Sequence, residues 1–273
     1  MNAAHRPGTA LRSPASERNR QPILEVLQRV LPARGAALEI ASGTGQHVAF
    51  FAAALPGWHW QSSDVTDAAF GSIAAWCAQL AVANVAPPVL LDASAPRWPV
   101  TGPELAPASL DAIYCANLLH IAPWAVCGGL MRGAARHLAP RGVLITYGPY
   151  LEQGVPTAQG NLDFDADLRR RDPAWGVRAR EDVEAEAEAA GLRLVERVAM
   201  PANNLMLVFA RGLVNRPGEP GAVQIGGKAL RVGAGSRPLH ERLFKLEAIA
   251  PRRISRIKGY ERFPVVAAEK SVL

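Results

Sequence analysis

The stretch LEIASGTGQHVAFFA, from Leu38 to Ala52, decides the fold of this chain. Its apolar run breaks at Ser42, glycines follow at Gly43 and Gly45, and the apolar pattern then resumes with helical spacing. A strand, a tight turn and a helix account for this order, because glycine lets a backbone turn sharply and lets a ligand approach where a Cβ would clash. The stretch therefore predicts a buried strand that ends at a small-ligand site.

Strand and helix patterns alternate along the rest of the chain. Strands are predicted at 36–41, 58–64, 89–92, 110–117, 142–148, 192–200 and 205–211. Helices are predicted at 22–31, 46–55, 70–83, 124–138 and 180–190. This order predicts an α/β fold with a doubly wound, mostly parallel seven-stranded sheet and an antiparallel last strand, because no helix separates the final two strands. Such a Rossmann-like sheet is the arrangement of class I methyltransferases.

Charge divides the chain into two parts. The segment from Leu213 to Leu273 has twelve lysines and arginines against five glutamates, a net charge of +7, and because the whole chain carries +6 the remainder carries −1. We therefore predict a class I methyltransferase-like domain at 1–212 and a basic, poorly ordered C-terminal extension at 213–273. A small hairpin that turns at Gly226 and Gly227 is predicted inside the extension.

Other sequence features bear on location and on available chemistry. The N-terminal residues show no apolar signal region, and no run approaches the ~18 apolar residues of a membrane span, so neither is predicted. Cys77, Cys115 and Cys127 are odd in number and lie in apolar surroundings, which is typical of reduced thiols in a cytoplasmic protein. No metal site is predicted, because Cys-x-x-Cys and His-x-x-x-His spacings are absent.

Polar side chains follow the strands next to the glycine turn. Asp64, Asp92 and Asn117 end the second, third and fourth predicted strands. Ligands of an open α/β sheet bind beyond these carboxyl ends. Asp64 can accept both hydroxyls of a ribose, Asp92 can accept an adenine amino group, and Asn117 can both donate and accept. Together with the turn they predict an adenosine-bearing cofactor.

The turn fits one class of adenosine cofactor better than others. A dinucleotide fingerprint needs a third small residue where Val48 stands, and a phosphate-binding loop needs Gly-Lys-Ser/Thr. The pattern Glu39-x-x-x-Gly43-x-Gly45 instead resembles motif I of S-adenosylmethionine-dependent methyltransferases. The resemblance implies that Glu39 lies beneath the methionine part of the cofactor. The predicted cofactor residues are Glu39, Ser42, Gly43, Thr44, Gly45, Asp64, Asp92 and Asn117.

Longer stretches carry a more specific resemblance. They are SPASERN at 13–19, EIASGTGQH at 39–47, CANLLHIAPW at 115–124, RDPAWGVR at 171–178 and MPANNL at 200–205. In this order they resemble the methyltransferase-like 26 family, a set of class I methyltransferase-like proteins of unassigned substrate. The similarity runs from about Ser13 to Arg211, and the segment from Leu213 departs from the family.

Two residues are candidates for the chemical step. His120 lies three residues after Asn117. It can act as a general base, or it can simply hydrogen-bond a backbone carbonyl and shape its loop. Tyr147, near the end of the fifth strand, can contact the acceptor or serve as a core residue. The residues predicted to contact the substrate are Asn203 and Asn204 in the last turn, Trp175 in a lid-like insertion at 150–177, and Arg18.

The leading hypothesis is a methyltransferase that transfers a methyl group from S-adenosylmethionine to a small-molecule acceptor. A catalytically silent cofactor-binding module that regulates a partner is the main alternative. A nucleic-acid methyltransferase that docks through the basic extension is disfavoured by the charge of −1 on the predicted domain. A nicotinamide dehydrogenase is disfavoured by the glycine pattern, and no membrane partner is predicted.

Overall fold

The structure is a computed structural model that describes residues 8–99, 104–212, 222–225 and 228–231. Its helices are α1 (Pro14–Val30), α2 (Gln46–Ala54), α3 (Phe70–Gln79), α4 (Ala125–His137), α5 (Gln159–Arg171) and α6 (Arg180–Ala189). Its first five strands are β1 (Gly35–Ile40), β2 (Trp58–Asp64), β3 (Val85–Leu90), β4 (Leu110–Ala116) and β5 (Leu138–Leu151). The others are β6 (Arg178–Ala179), β7 (Leu192–Met200), β8 (Asn204–Arg211), β9 (Ala222–Ile225) and β10 (Lys228–Arg231).

The main sheet has the strand order β3-β2-β1-β4-β5-β8-β7, and the short β6 pairs with β5. Neighbouring strands from β3 to β5 are parallel, whereas β8 is antiparallel to both β5 and β7. The predicted doubly wound, mostly parallel seven-stranded sheet with an antiparallel last strand is therefore confirmed. Because β7 is parallel to β5, its carboxyl end lies at the same edge as those of β1 to β5.

Apolar cores fill both faces of this sheet. One joins α1, α2 and α3 to the sheet through residues such as Leu27, Phe51 and Trp60. The other joins α4 and α6 to the opposite face and includes Leu130 and Val183. Each fully buried side chain of this size contributes about 1.5–3 kcal/mol of transfer free energy. The glycine turn joins β1 of this sheet to α2, which packs in the first of the two cores.

The first helix begins earlier than the sequence pattern predicts. It starts at Pro14, where the Ser13 hydroxyl accepts a hydrogen bond from the Ser16 N–H and caps the helix. Pro22, where the predicted helix began, lies inside α1. The apolar spacing covers only the second half of α1, because the first half faces the glycine turn rather than the core.

The third strand also differs from its predicted position. It spans Val85–Leu90 instead of 89–92, so that Asp92 lies beyond the strand end. Pro87 and Pro88 lie inside β3, and prolines normally argue against a strand, so the first half of β3 was not predicted. They are tolerated because β3 is the edge strand of the sheet, where a missing N–H leaves no ladder partner unsatisfied.

The structure contains the two strands of the predicted C-terminal hairpin. β9 and β10 pair antiparallel, with Lys228 opposite Ile225. The turn at Gly226 and Gly227 and most of the predicted extension at 213–273 lie outside the described residues, so the predicted domain boundary stays a prediction. None of the described helices is both long and apolar enough to cross a bilayer.

Candidate functional site

The sheet brings the predicted cofactor residues to one edge. Glu39 pairs in register with Ser62 on β2 and with Tyr114 on β4. Tyr147 pairs with Ala116, the last residue of β4. The turn after β1, the end of β2 and the loops after β3, β4 and β7 therefore lie along the same carboxyl edge of the sheet.

Asp64 faces the glycine turn. Its Oδ2 accepts a hydrogen bond from the Gly43 N–H at 2.9 Å, and its Oδ1 accepts one from the Val65 N–H at 2.7 Å. Gly43 has φ +52°, and a Cβ built on it would meet nothing within 4 Å. Each carboxylate oxygen keeps a further lone pair that can accept a ligand hydroxyl. The turn therefore presents open space beside an oriented carboxylate.

Gly45 packs closely against α3. It has φ +83° and is the N-cap of α2, and a Cβ there would lie 2.6 Å from the Cα of Ile73 in α3. The absence of a side chain at this position lets α3 pack against the turn. A side chain at Gly43 would enter open space, whereas one at Gly45 would not; contact of either glycine with a cofactor stays a prediction.

Ser42 and Thr44 hold the turn in place. The Ser42 hydroxyl accepts from the Ser63 N–H at 3.2 Å, and the Ser42 N–H donates to the Ser63 carbonyl at 2.9 Å. The Thr44 carbonyl accepts from the Ser72 hydroxyl at 2.7 Å. These contacts support the turn from the protein side, and direct contact of Ser42 or Thr44 with a cofactor stays a prediction.

The first half of α1 is fastened to the turn through Gln46, which is almost fully buried. Gln46 Oε1 accepts hydrogen bonds from the Ser13 N–H and, at 3.3 Å, from the Thr44 hydroxyl. Gln46 Nε2 donates to Glu17 Oε2 at 3.0 Å. The sequence pattern does not predict this contact, because the apolar spacing of the helix begins after Glu17.

Asn19 of α1 joins two buried side chains at this edge. His47 Nε2 lies 2.7 Å from Asn19 Oδ1, and Asn19 also hydrogen-bonds Tyr147. Burial lowers the pKa of His47 to about 4, and the charge of Arg20 contributes to that fall. His47 is therefore neutral at pH 7 and donates from Nε2. Burial raises the pKa of Tyr147, and both the Asn19 hydrogen bond and the charge of Arg18 oppose that rise.

His120 and Asn117 lie side by side after β4. A Cβ built on Gly148 of β5 would be 3.4 Å from His120 Nδ1 and 3.6 Å from Asn117 Oδ1. His120 is 5% exposed, and burial, followed by the charge of Arg178, lowers its pKa to about 4. The ring is therefore neutral at pH 7, with a nitrogen able to accept a proton.

Arg178 fixes the loop that carries His120. Its guanidinium donates to the carbonyls of Leu119 at 3.0 Å, Ala122 at 2.7 Å and Ala174 at 2.6 Å. The Gly176 N–H donates to the His120 carbonyl at 3.0 Å. The sequence does not predict this role of Arg178. Two of its three carbonyl partners lie in another segment, and no local pattern identifies them.

The inserted helix α5 contacts two loops of the site. The Phe164 ring lies edge-on to His120 with centroids 5.4 Å apart. Asn161 Nδ2 donates to the Asn203 carbonyl at 3.0 Å, across to the turn between β7 and β8. α5 therefore lies beside the His120 loop and the turn between β7 and β8, and a lid function of the insertion stays a prediction.

The predicted substrate residues have unequal freedom. Asn204 Nδ2 donates to the Pro201 carbonyl at 3.0 Å, so its amide is turned back on its own loop. The Arg171 guanidinium lies over the Trp175 ring at 5.2 Å. Arg18 and Asn203 are exposed. Substrate contact by these four residues stays a prediction.

Asp92 and Glu39 complete the predicted set. Asp92 Oδ1 accepts from the Ser94 N–H at 2.8 Å and from the Ser94 hydroxyl at 2.7 Å, which stabilises a turn. Glu39 is 2% exposed, and burial raises its pKa to about 8; a hydrogen bond with Ser42 opposes this rise, whereas the charge of Asp64 adds to it. Within the described ranges, no group of three or more His, Cys, Asp or Glu side chains is arranged to hold a metal ion.

Residues 11–211 match a family described as "Protein of unknown function (DUF938)". The matched segment includes every predicted site residue. The description of this family does not mention the methyltransferase-like 26 proteins. The resemblance to those proteins therefore stays a prediction.

Solved methyltransferases share the fold at low sequence identity. An O-methyltransferase family 2 protein from Planctomyces limnophilus DSM 3776, in complex with apigenin, has TM-score 0.61 and 16% identity over 72% of this chain and 58% of that one. The mitomycin 7-O-methyltransferase MmcR has TM-score 0.59 and 17% identity over 72% and 54%. CalO1, a methyltransferase in calicheamicin biosynthesis in its SAH-bound form, has TM-score 0.55 and 16% identity over 71% and 54%. This chain spans little more than half the length of each structure, and the likeness establishes the class I methyltransferase fold.

Proposed function

The chain belongs to the DUF938 family of proteins of unknown function, and we propose that it is an S-adenosylmethionine-dependent methyltransferase that acts on a small-molecule acceptor. The observation that carries the proposal is the open turn at Gly43, whose N–H is hydrogen-bonded to Asp64 beside free space. The unpaired, buried Oε2 of Glu39 beneath the same turn supports it, because a cation could satisfy that atom.

The residues at the edge fit the parts of this cofactor. Asp64 would accept the ribose hydroxyls, and Asp92 Oδ2, which has no hydrogen-bond partner among the described residues, would accept the adenine amino group. When bound, S-adenosylmethionine supplies an already activated methyl group, so the protein must mainly align the acceptor and exclude water. In this proposal His120 would accept the proton of a hydroxyl or amine acceptor, and Phe164, whose ring lies edge-on to it, would limit the access of solvent.

A small acceptor suits the contacts around His120. α5 contacts this loop through Phe164 and the turn after β7 through Asn161. These contacts across the loops favour a small acceptor over an extended polymer. The predicted domain also has a net charge of −1, whereas a phosphate backbone attracts a basic surface. Apigenin, found in one structural neighbour, is a reasonable first member of an acceptor screen.

The cofactor part of the proposal is tested by calorimetry with S-adenosylmethionine and with S-adenosylhomocysteine. We expect both to bind, and we expect Asp64→Asn to weaken binding by about 2 kcal/mol, roughly 30-fold, because a charge-assisted hydrogen bond is lost. Asp67→Asn is the matched control, since Asp67 is exposed and its replacement removes the same charge close by. Its affinity should stay within about twofold of the wild type.

Absence of binding by the wild-type chain would refute the proposed cofactor. Release of S-adenosylhomocysteine with one of the screened acceptors would support methyl transfer. Cofactor binding without turnover on any acceptor would favour the silent regulatory module instead.

The two glycines of the turn should respond differently to alanine. Gly43→Ala should cost about 1 kcal/mol of stability, because of its positive φ, yet reduce cofactor affinity at least tenfold, because its methyl group enters the open space. Gly45→Ala should cost about 2–3 kcal/mol, because the added Cβ collides with Ile73. Urea unfolding and calorimetry on both variants check this, and equal losses of stability would contradict it.

A further inference from the structure

Glu39 is a buried carboxyl group that lacks a partner for one oxygen. It is 2% exposed, and its Oε2 has no hydrogen-bond partner among the described residues. No described lysine or arginine forms an ion pair with it. A carboxylate in this position would be a buried charge without compensation, which proteins avoid by keeping the proton on the group.

Further unpaired polar atoms surround it on the same face of the sheet. Ser62 and Tyr114 are the register partners of Glu39 on β2 and β4, and both have buried hydroxyl oxygens without a partner among the described residues. Trp60 Nε1, two residues before Ser62 on β2, is also buried and unpaired. The protein thus leaves several buried polar atoms unsatisfied on the face of the sheet that carries Glu39, and each such group calls for a ligand or a water.

The ionisable groups around Glu39 do not supply a positive charge at pH 7. Asp64 on β2 adds negative charge and, after burial, raises the Glu39 pKa, which is about 8. His47 on α2 stays neutral, because burial lowers its pKa to about 4. The remaining groups that interact electrostatically with Glu39 are neutral acids with raised pKa values: Cys77 on α3, and Tyr114 and Cys115 on β4.

We propose that Glu39 is uncharged in the cofactor-free protein and becomes a carboxylate when the cationic end of the cofactor binds, so that binding releases one proton. The inference rests on the proposed function, because it takes S-adenosylmethionine as the ligand. The carboxyl O–H bond breaks, the proton passes to the buffer, and the carboxylate keeps the electron pair and faces the cofactor's positive charge. That charge offsets the desolvation that keeps the empty site neutral.

Proton release makes affinity depend on pH. Between the lower pKa of Glu39 in the complex and pH 8, each added unit of pH should tighten cofactor binding by up to about tenfold. Above pH 8 the gain should stop, because Glu39 is then ionised before the cofactor arrives. The ligand has an α-amino group that titrates near the same range, so a variant without the carboxyl group is required as reference.

The test is calorimetric titration of the full chain with S-adenosylmethionine at pH 7, in phosphate, HEPES and Tris, whose ionisation enthalpies differ. The slope of observed enthalpy against buffer ionisation enthalpy counts the protons released. We expect the wild type to release about one proton more than Glu39→Gln. Adenosine, which has neither the ammonium nor the sulfonium group, should release none from the wild type, and this comparison needs no variant.

The outcomes separate this inference from the proposed function. If S-adenosylmethionine binds with equal proton counts for wild type and Glu39→Gln, or with the same count as adenosine, the inference is overturned and the proposed function stands. If S-adenosylmethionine does not bind the wild type at all, the proposed function fails first.

Discussion

At pH 8 and without cofactor, the Glu39→Gln variant should have a free energy of unfolding about 4 kcal/mol higher than the wild type, whereas at pH 5 the two should differ by less than about 1 kcal/mol. The reason is that burial raises the pKa of Glu39 from 4.5 to about 8. A glutamine has a similar shape and no proton to lose.

The sign follows from counting protons. Between pH 4.5 and 8 the folded protein keeps the Glu39 proton, whereas the unfolded chain has lost it. The folded state binds more protons, so its stability falls as pH rises through this window, by about 1.4 kcal/mol per unit at most. Above pH 8 both states are ionised and the loss stops growing. The variant lacks this slope.

Buried histidines act in the opposite direction. The pKa values of His47 and His120 fall from 6.5 to about 4, so stability falls as pH drops below 6.5. Both proteins share these histidines, and the difference between their curves isolates Glu39. Urea unfolding from pH 5 to 8.5 measures it, with Glu25→Gln, at an exposed position of α1, as control. Parallel curves for wild type and Glu39→Gln would show that the folded state does not hold the proton.

The retention of a destabilising acid argues for a ligand at this place. A buried, unpaired carboxyl group lowers stability above pH 4.5, and a neutral residue of the same size would not. Strained or unsatisfied groups persist mainly where binding uses them. Glu39 lies one residue before the end of β1, at the start of the turn that presents Gly43 and Asp64.

The sequence predicts the architecture well because periodicity and turn residues report burial directly. β2 and β7 have the predicted boundaries, since both are bounded by turn residues and show the strand pattern throughout. α1 and β3 were misplaced, because the prolines at 22, 87 and 88 suggested breaks. Tertiary context tolerates these prolines inside a helix and in an edge strand.

Only the site residues at the ends of strands could be predicted from the sequence. Asp64 and Asn117 follow from the rule that ligands bind at carboxyl ends, and the structure places both at that edge. The separate roles of Gly43 and Gly45 depend on how closely α3 approaches, which no local pattern encodes. The bridge from His47 through Asn19 to Tyr147 joins three elements, and its members are far apart in sequence.

Replacement of His120 by glutamine should lower kcat by about 10²- to 10⁴-fold and leave cofactor affinity within about twofold, if His120 accepts the acceptor's proton. The ring is already neutral at pH 7, because burial and Arg178 lower its pKa to about 4. A base is competent above its own pKa, so its contribution to the wild-type rate should be flat from about pH 6 upward and fall toward pH 4. The measurement is release of S-adenosylhomocysteine with an acceptor that turns over in the screen.

A loop-shaping role for His120 predicts a different pattern. Arg178 and Gly176 hold the loop through backbone carbonyls, so the glutamine side chain of His120→Gln would lie in a loop whose anchors are unchanged. His59→Gln, at an exposed position of β2, is the control for the same chemical change. A His120→Gln protein with wild-type kcat would exclude the base. A reduced kcat with an unchanged pH profile and weakened cofactor binding would show that His120 shapes the loop. Only a residue that accepts the proton makes the rate depend on the protonation of its own ring.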